Sequence, residues 1–81
     1  MKLRVLFFSI LRDITGREEL ELTCDEPCDV TSLLAMLFAR WPKLAEWDAS
    51  LLVAVDCTYV KRDAALHDGA EVAIMPPVQG G

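Results

Sequence analysis

The sequence predicts an α+β domain in which a mixed sheet packs on one main helix. Three observations carry that reading. Alternating strand-like segments occur near both ends of the chain. A single apolar stripe at helical spacing lies between them. The order is strand, strand, helix, then further strands, and one amphipathic helix needs a sheet face to cover.

Leu3 to Phe8 is rich in strand formers, with Leu3, Val5 and Phe7 on one face and Arg4, Leu6 and Phe8 on the other. Ser9 to Thr15 reads as a short helical turn stopped by Gly16. Glu18 to Thr23 alternates, with Leu20 and Leu22 opposite Glu19 and Glu21, as in a half-buried antiparallel strand paired with the first. Asp25 to Asp29 is a loop containing Pro27, and Asp29 is placed to cap the long helix. Val30, Leu33, Leu34, Leu37, Phe38 and Trp41 form the helical stripe, which reads as core. Pro42 ends it, because the residue before a proline avoids the helical region.

Lys43 to Ser50 is expected to be a loop or a short extra helical turn, with Leu44 and Trp47 available to cover apolar surface. Leu51 to Val55 is strand-like, Asp56-Cys57-Thr58 a tight connection and Tyr59-Val60 a short return strand. Asp63 to His67 is irregular, and His67 is expected in an exposed turn. Asp68-Gly69 is a turn signal before the last strand, Glu71 to Met75, whose Val72 and Ile74 point inward. A twisted mixed sheet wrapped on one helix makes the β-grasp the natural architecture. The domain is expected over 1–75, with 76–81 as a flexible C-terminal Gly-Gly tail.

Composition limits the function classes. A chain of 81 residues is one domain, and at that size only roughly 60–65% of the unfolded surface is buried. An enclosed active site beside a core is disfavoured; a carrier, adaptor or subunit is favoured. The net charge is −5 and only Lys61-Arg62 places two basic residues side by side, so no basic face for nucleic acid is visible. Lys2 and Arg4 before Val5-Leu6-Phe7-Phe8 hint at an export signal. Arg12-Asp13 breaks that run and no small-residue cleavage site follows, so a strand is expected instead. No apolar run approaches the roughly 20 residues that span a bilayer, and a cytoplasmic location is expected. Three cysteines are an odd count for a disulfide scaffold. Cys24 and Cys28, with Cys57 and the lone His67, lack paired zinc-ligand spacing, and no metal site is expected. Cys57 as a nucleophile would need a positioned base and orienter.

The tail Pro76-Pro77-Val78-Gln79-Gly80-Gly81 follows a strand directly. The prolines cannot donate to a ladder and hold the chain extended. Gly80 and Gly81 lack Cβ atoms, so the end is thin enough to thread a narrow channel. The Gly81 carboxylate is a poor electrophile until its oxygen becomes a leaving group, as in an acyl-adenylate; a sulfur nucleophile can then displace AMP and leave a thiocarboxylate. A glycine pair at a terminus is also a common frayed end. Strand alternation adds a second feature. Leu6, Phe8, Ala73 and Met75, joined by Tyr59, share the outward side of the sheet near the root of the tail, and such an apolar patch marks an interaction surface unless Lys43 to Trp47 folds over it.

The chain resembles the MoaD family, the sulfur-carrier small subunits of molybdopterin synthase. The resemblance runs through Val5-Leu6-Phe7-Phe8, Leu11-Arg12 before Gly16, the helix from Val30, Leu52-Val53-Ala54-Val55, Leu66 with Asp68-Gly69, Glu71-Val72-Ala73 and above all Pro76-Pro77-Val78-x-Gly80-Gly81. It implies a ubiquitin-like β-grasp. It implies that an E1-like adenylyltransferase, using ATP and zinc of its own, adenylates Gly81, and that a persulfide donor supplies the sulfur. The tail would enter the large synthase subunit and pass sulfur to cyclic pyranopterin monophosphate, within a heterotetramer. The small subunit would bind no cofactor and supply no acid, base or metal. Val78, Gln79 and Gly80, with Pro76 and Pro77, would thread the partner. The family's partner-contacting positions fall on Phe8, Arg12, Tyr59 and Met75. This sequence departs from the family at Ala70, which stands in the usual Asp-Gly-Asp-Glu turn, at Asp56 in place of a common Asn, and at Tyr59 and Met75. A related β-grasp carrier for thiamine or tRNA thiolation, a ubiquitin-like protein modifier and an interaction module with an inert tail remain alternatives.

Overall fold

A computed structural model describes residues 1–77 of the chain. Val78, Gln79, Gly80 and Gly81 lie outside the described residues. The elements are β1 (Lys2–Phe7), α1 (Ile10–Thr15), β2 (Glu19–Thr23), α2 (Val30–Arg40), α3 (Pro42–Ala45), a 3-10 turn (Asp48–Ser50), β3 (Leu52–Val55), β4 (Thr58–Tyr59) and β5 (Glu71–Met75). The five strands form one sheet in the order β2-β1-β5-β3-β4. β1 and β5 run parallel at its centre; the other pairs are antiparallel. A mixed sheet of this order, with α2 crossing one face, is the ubiquitin-like β-grasp.

Alternation decides which side chains meet the helix. Leu3, Val5 and Phe7 of β1 and Val72 and Ile74 of β5 are buried together with Val30, Leu33, Leu34 and Leu37 of α2 in one cluster. Burying each such side chain contributes about 1.5–3 kcal/mol, so this seam dominates the stability. Asp29 caps α2 as expected: its backbone is extended and its carboxylate accepts the Ser32 N–H at 2.8 Å. That bond holds the Asp29 carboxyl below its ordinary value. Gly16 closes α1 at φ 75°, donating its N–H to the Arg12 carbonyl. That left-handed geometry favours glycine.

Several boundaries differ from the sequence expectation. The first strand covers Lys2–Phe7 rather than Leu3–Phe8, and the second starts at Glu19 rather than Glu18. Trp41 lies beyond the helix, its N–H bonded to the Leu37 carbonyl and its ring edge-on to Phe7 at 5.7 Å. Pro42 both ends α2 and opens α3, since a missing N–H costs nothing at the first helical position. The stretch from Lys43 is therefore two short helical pieces, and Leu44 is fully buried. Leu51 belongs to the end of the 3-10 turn instead of the next strand. The return strand is Thr58–Tyr59 rather than Tyr59-Val60. Asp56 and Cys57 both have positive φ, the requirement of a two-residue hairpin turn.

Candidate functional site

β5 is the central strand of the sheet: it lies between β1 and β3 and delivers the chain to Pro76 and Pro77. The register then fixes what surrounds that exit on the outer face. Leu6 stands opposite Ala73, Ala73 opposite Ala54, and Ala54 opposite Tyr59. Leu52 stands opposite Met75, and Phe8 continues β1 beside Met75, its N–H reaching the Ile74 carbonyl at 3.2 Å. Four adjacent strands thus carry an apolar band roughly 14 Å wide, at about 4.8 Å per strand spacing.

This band is open. Phe8 is 45% exposed and Tyr59 67%, while Met75, Leu6, Leu52 and Ala73 are half-buried. The segment from Lys43 to Trp47 does not cover it, because Leu44 packs into the opposite core with α2 and α1 beside it. Arg12 flanks the band: it lines a shallow hollow with Leu6, Phe7, Phe8 and Glu18, and its guanidinium donates to Glu18 at 3.1 Å. The far end of the same face is charged. Arg4 there bonds Glu19 and, at 3.3 Å, Glu71.

The structure therefore brings Phe8 and Met75 together at the exit of β5, sets Arg12 beside Phe8, and puts Tyr59 at the opposite margin of the band. Leu52 and Ala54 were missed by sequence reasoning. All four residues of β3 are apolar, so alternation could not tell its outer face from its inner one. Glu18, which holds Arg12, was also missed; only its proximity in sequence hinted at the pair.

The thiols lie elsewhere. Cys24 and Cys28 are buried in the core cluster and Cys57 is exposed in the β3–β4 turn. Burial and the neighbouring Cys24 thiol push Cys28 up to about 11, so it stays protonated at neutral pH and is no sulfur nucleophile. His67 is exposed, as expected, but its ring is bonded to Asp56. What the described residues offer is a surface for binding beside the strand that leads to Pro76 and Pro77.

Fold and site together define a small β-grasp protein with an apolar outer face and a C-terminal segment leaving the central sheet beside it. The ThiS family model matches residues 5–81, and the chain belongs to that family. It is 43% identical to the molybdopterin synthase sulfur carrier subunit of Escherichia coli K12 over 82 residues, covering 98% of this chain and 99% of that one. Its fold matches a Pyrococcus furiosus chain assigned to molybdopterin converting factor, subunit 1, with a TM-score of 0.88 and 31% identity over 96% of this chain and 99% of that chain. It also matches a chain in the complex of subunits 1 and 2 of the Helicobacter pylori molybdopterin-converting factor, with a TM-score of 0.72, 27% identity and full coverage of both. No helix among the described residues is long and apolar enough to cross a membrane.

Proposed function

We propose that this chain is the sulfur carrier subunit of a molybdopterin synthase and that Gly81 is its reacting residue. The observation that carries the reading is the full-length similarity to a relative of that name, within a family match that runs through Gly80 and Gly81. An E1-like adenylyltransferase spends ATP to turn the Gly81 carboxylate into an acyl-adenylate. The terminal sulfur of a persulfide donor attacks the adenylate and displaces AMP, forming an acyl disulfide with the donor. A second thiol cleaves that S–S bond by disulfide exchange, leaving the Gly81 thiocarboxylate and a donor disulfide. The large synthase subunit docks on the apolar face formed by Phe8, Met75 and Tyr59, with Arg12 at its margin. Pro76 to Gly80 thread into it and bring the sulfur to cyclic pyranopterin monophosphate. The chain acts as a donor and contributes no acid, base, metal or bound cofactor.

Intact mass after coexpression with the activating enzyme tests the carrier step. The expected product gains the mass of one oxygen-to-sulfur exchange, located on Gly81 by fragmentation. The purified thiocarboxylate should then convert the pterin precursor when mixed with the large subunit. A charged carrier that fails that conversion would remove the molybdopterin assignment, and Gly81-linked adducts on other proteins would replace it with a modifier.

A further inference from the structure

Both ring nitrogens of His67 face acceptors. Nε2 stands 2.6 Å from Asp56 Oδ2 and Nδ1 stands 2.9 Å from the Asp68 carbonyl oxygen. A neutral imidazole has one N–H and one lone pair, so it satisfies only one of these partners. The imidazolium has two donors and satisfies both. Asp56 is tied down on its other side as well. Its Oδ1 accepts the Glu71 N–H at 3.1 Å, and its own N–H donates to the Glu71 carbonyl at 2.9 Å. Asp56 thus links the β3–β4 turn to the start of β5 and, through His67, to the turn before it.

We propose that His67 is a proton-operated latch: as the imidazolium it fastens the β3–β4 hairpin to the turn preceding β5, and on losing its proton it gives up one of its two hydrogen bonds. The charges around it favour the cation. Asp56 approaches from the β3–β4 turn and Asp68 from its own turn, where the Asp68 carboxylate also accepts the Lys2 N–H at 2.7 Å. Glu26 and Met1 lie across a shallow cleft beside the ring, and the Met1 ammonium is occupied by the Cys24 carbonyl at 2.8 Å. The Glu71 carboxylate turns away to Arg4.

The bond from Asp56, then that from the Asp68 carbonyl, hold His67 above its ordinary value near 6.5. The Glu71 N–H first, and His67 second, hold Asp56 below the usual carboxylate range. A raised imidazole contributes fully at pH below 6.5, and its contribution fades as pH rises through the folded-state value. The latch is therefore closed below the ordinary 6.5 and loosens as pH rises through the raised folded-state value. The hairpin it holds carries Tyr59, yet the latch stands whatever binds that face.

An NMR titration of the His67 ring, with hydrogen exchange at the bonded amides of Asp56, Val60 and Glu71, tests it. The midpoint should lie above the ordinary 6.5. Protection, corrected for intrinsic exchange, should drop roughly fivefold across that midpoint, the worth of one exposed hydrogen bond. His67→Gln should abolish that pH dependence. Asp56→Asn keeps a side-chain acceptor for Glu71 and tolerates the positive φ, and should bring the His67 midpoint down. A wild-type midpoint at or below the ordinary value, or an unchanged pH dependence in His67→Gln, would overturn the latch.

Discussion

Ile74 and Met75 are neighbours on β5, but one is sealed in the core and the other sits on the outer face. Replacements in the core and on the outer face, where Phe8 sits beside Met75, should therefore show different symptoms. Ile74→Ala leaves a hole against α2 and should cost about 2–5 kcal/mol in urea unfolding. Phe8→Asp should move the urea midpoint far less, because Phe8 is already 45% exposed. Instead it should weaken binding of the large synthase subunit by about 2 kcal/mol, roughly thirtyfold in Kd by calorimetry. A Phe8→Asp chain that binds as tightly as the parent would remove the outer face from the proposed docking surface.

Among the elements, α2 shows how a cap ties pH to stability. The Asp29 carboxylate accepts from Ser32 and is held below its ordinary value of 3.8. A depressed carboxylate contributes above its unfolded-state value and loses that contribution as pH falls through the folded one. Asp29→Ala should thus lower Tm at neutral pH, and the gap between variant and parent should narrow in acid, as thermal scans at a series of pH values would show. That cap was legible in the sequence, as were α2 and β5, because each pairs a clean apolar period with a clear stop signal. Other elements were legible only in outline. Proline at position 42 reads as a stop, yet the same residue starts α3, and only the burial of Leu44 distinguishes a helix there from a loop. Arg62 reads as half of a surface basic pair, but it fastens the 3-10 turn by donating to Asp48 at 2.6 Å and to the Leu51 carbonyl at 3.3 Å. Such long-range staples leave no periodic trace. The outer face was half-legible for the same reason: alternation exposes Phe8 and Met75, while the uniformly apolar β3 hides Leu52 and Ala54.

The whole molecule separates what holds the fold from what does the chemistry. Among the described residues, every member of the buried cluster lies at or before Ile74, and deleting Gly81 should leave Tm unchanged while abolishing thiocarboxylate formation, as a thermal scan and an intact mass would show together. The charge balance belongs to this scale too. Thirteen acidic against eight basic residues leave the chain at −5. On the outer face, Glu19, Glu21 and Glu71 stand with Lys2 and Arg4 beside the apolar band, so the acidic excess belongs to the chain as a whole. An acidic field of this kind speeds encounter with a basic partner surface but does little to hold the partner once apolar contacts form. Salt screens the first effect over about 10 Å at 0.1 M and spares the second. Association with the large subunit should therefore slow by about tenfold between low and high salt, with dissociation nearly constant. Stopped-flow mixing separates the two rates. If salt moved dissociation and left association alone, charge would have to act inside the docked contact, and the apolar band would lose its place as the surface that retains the partner.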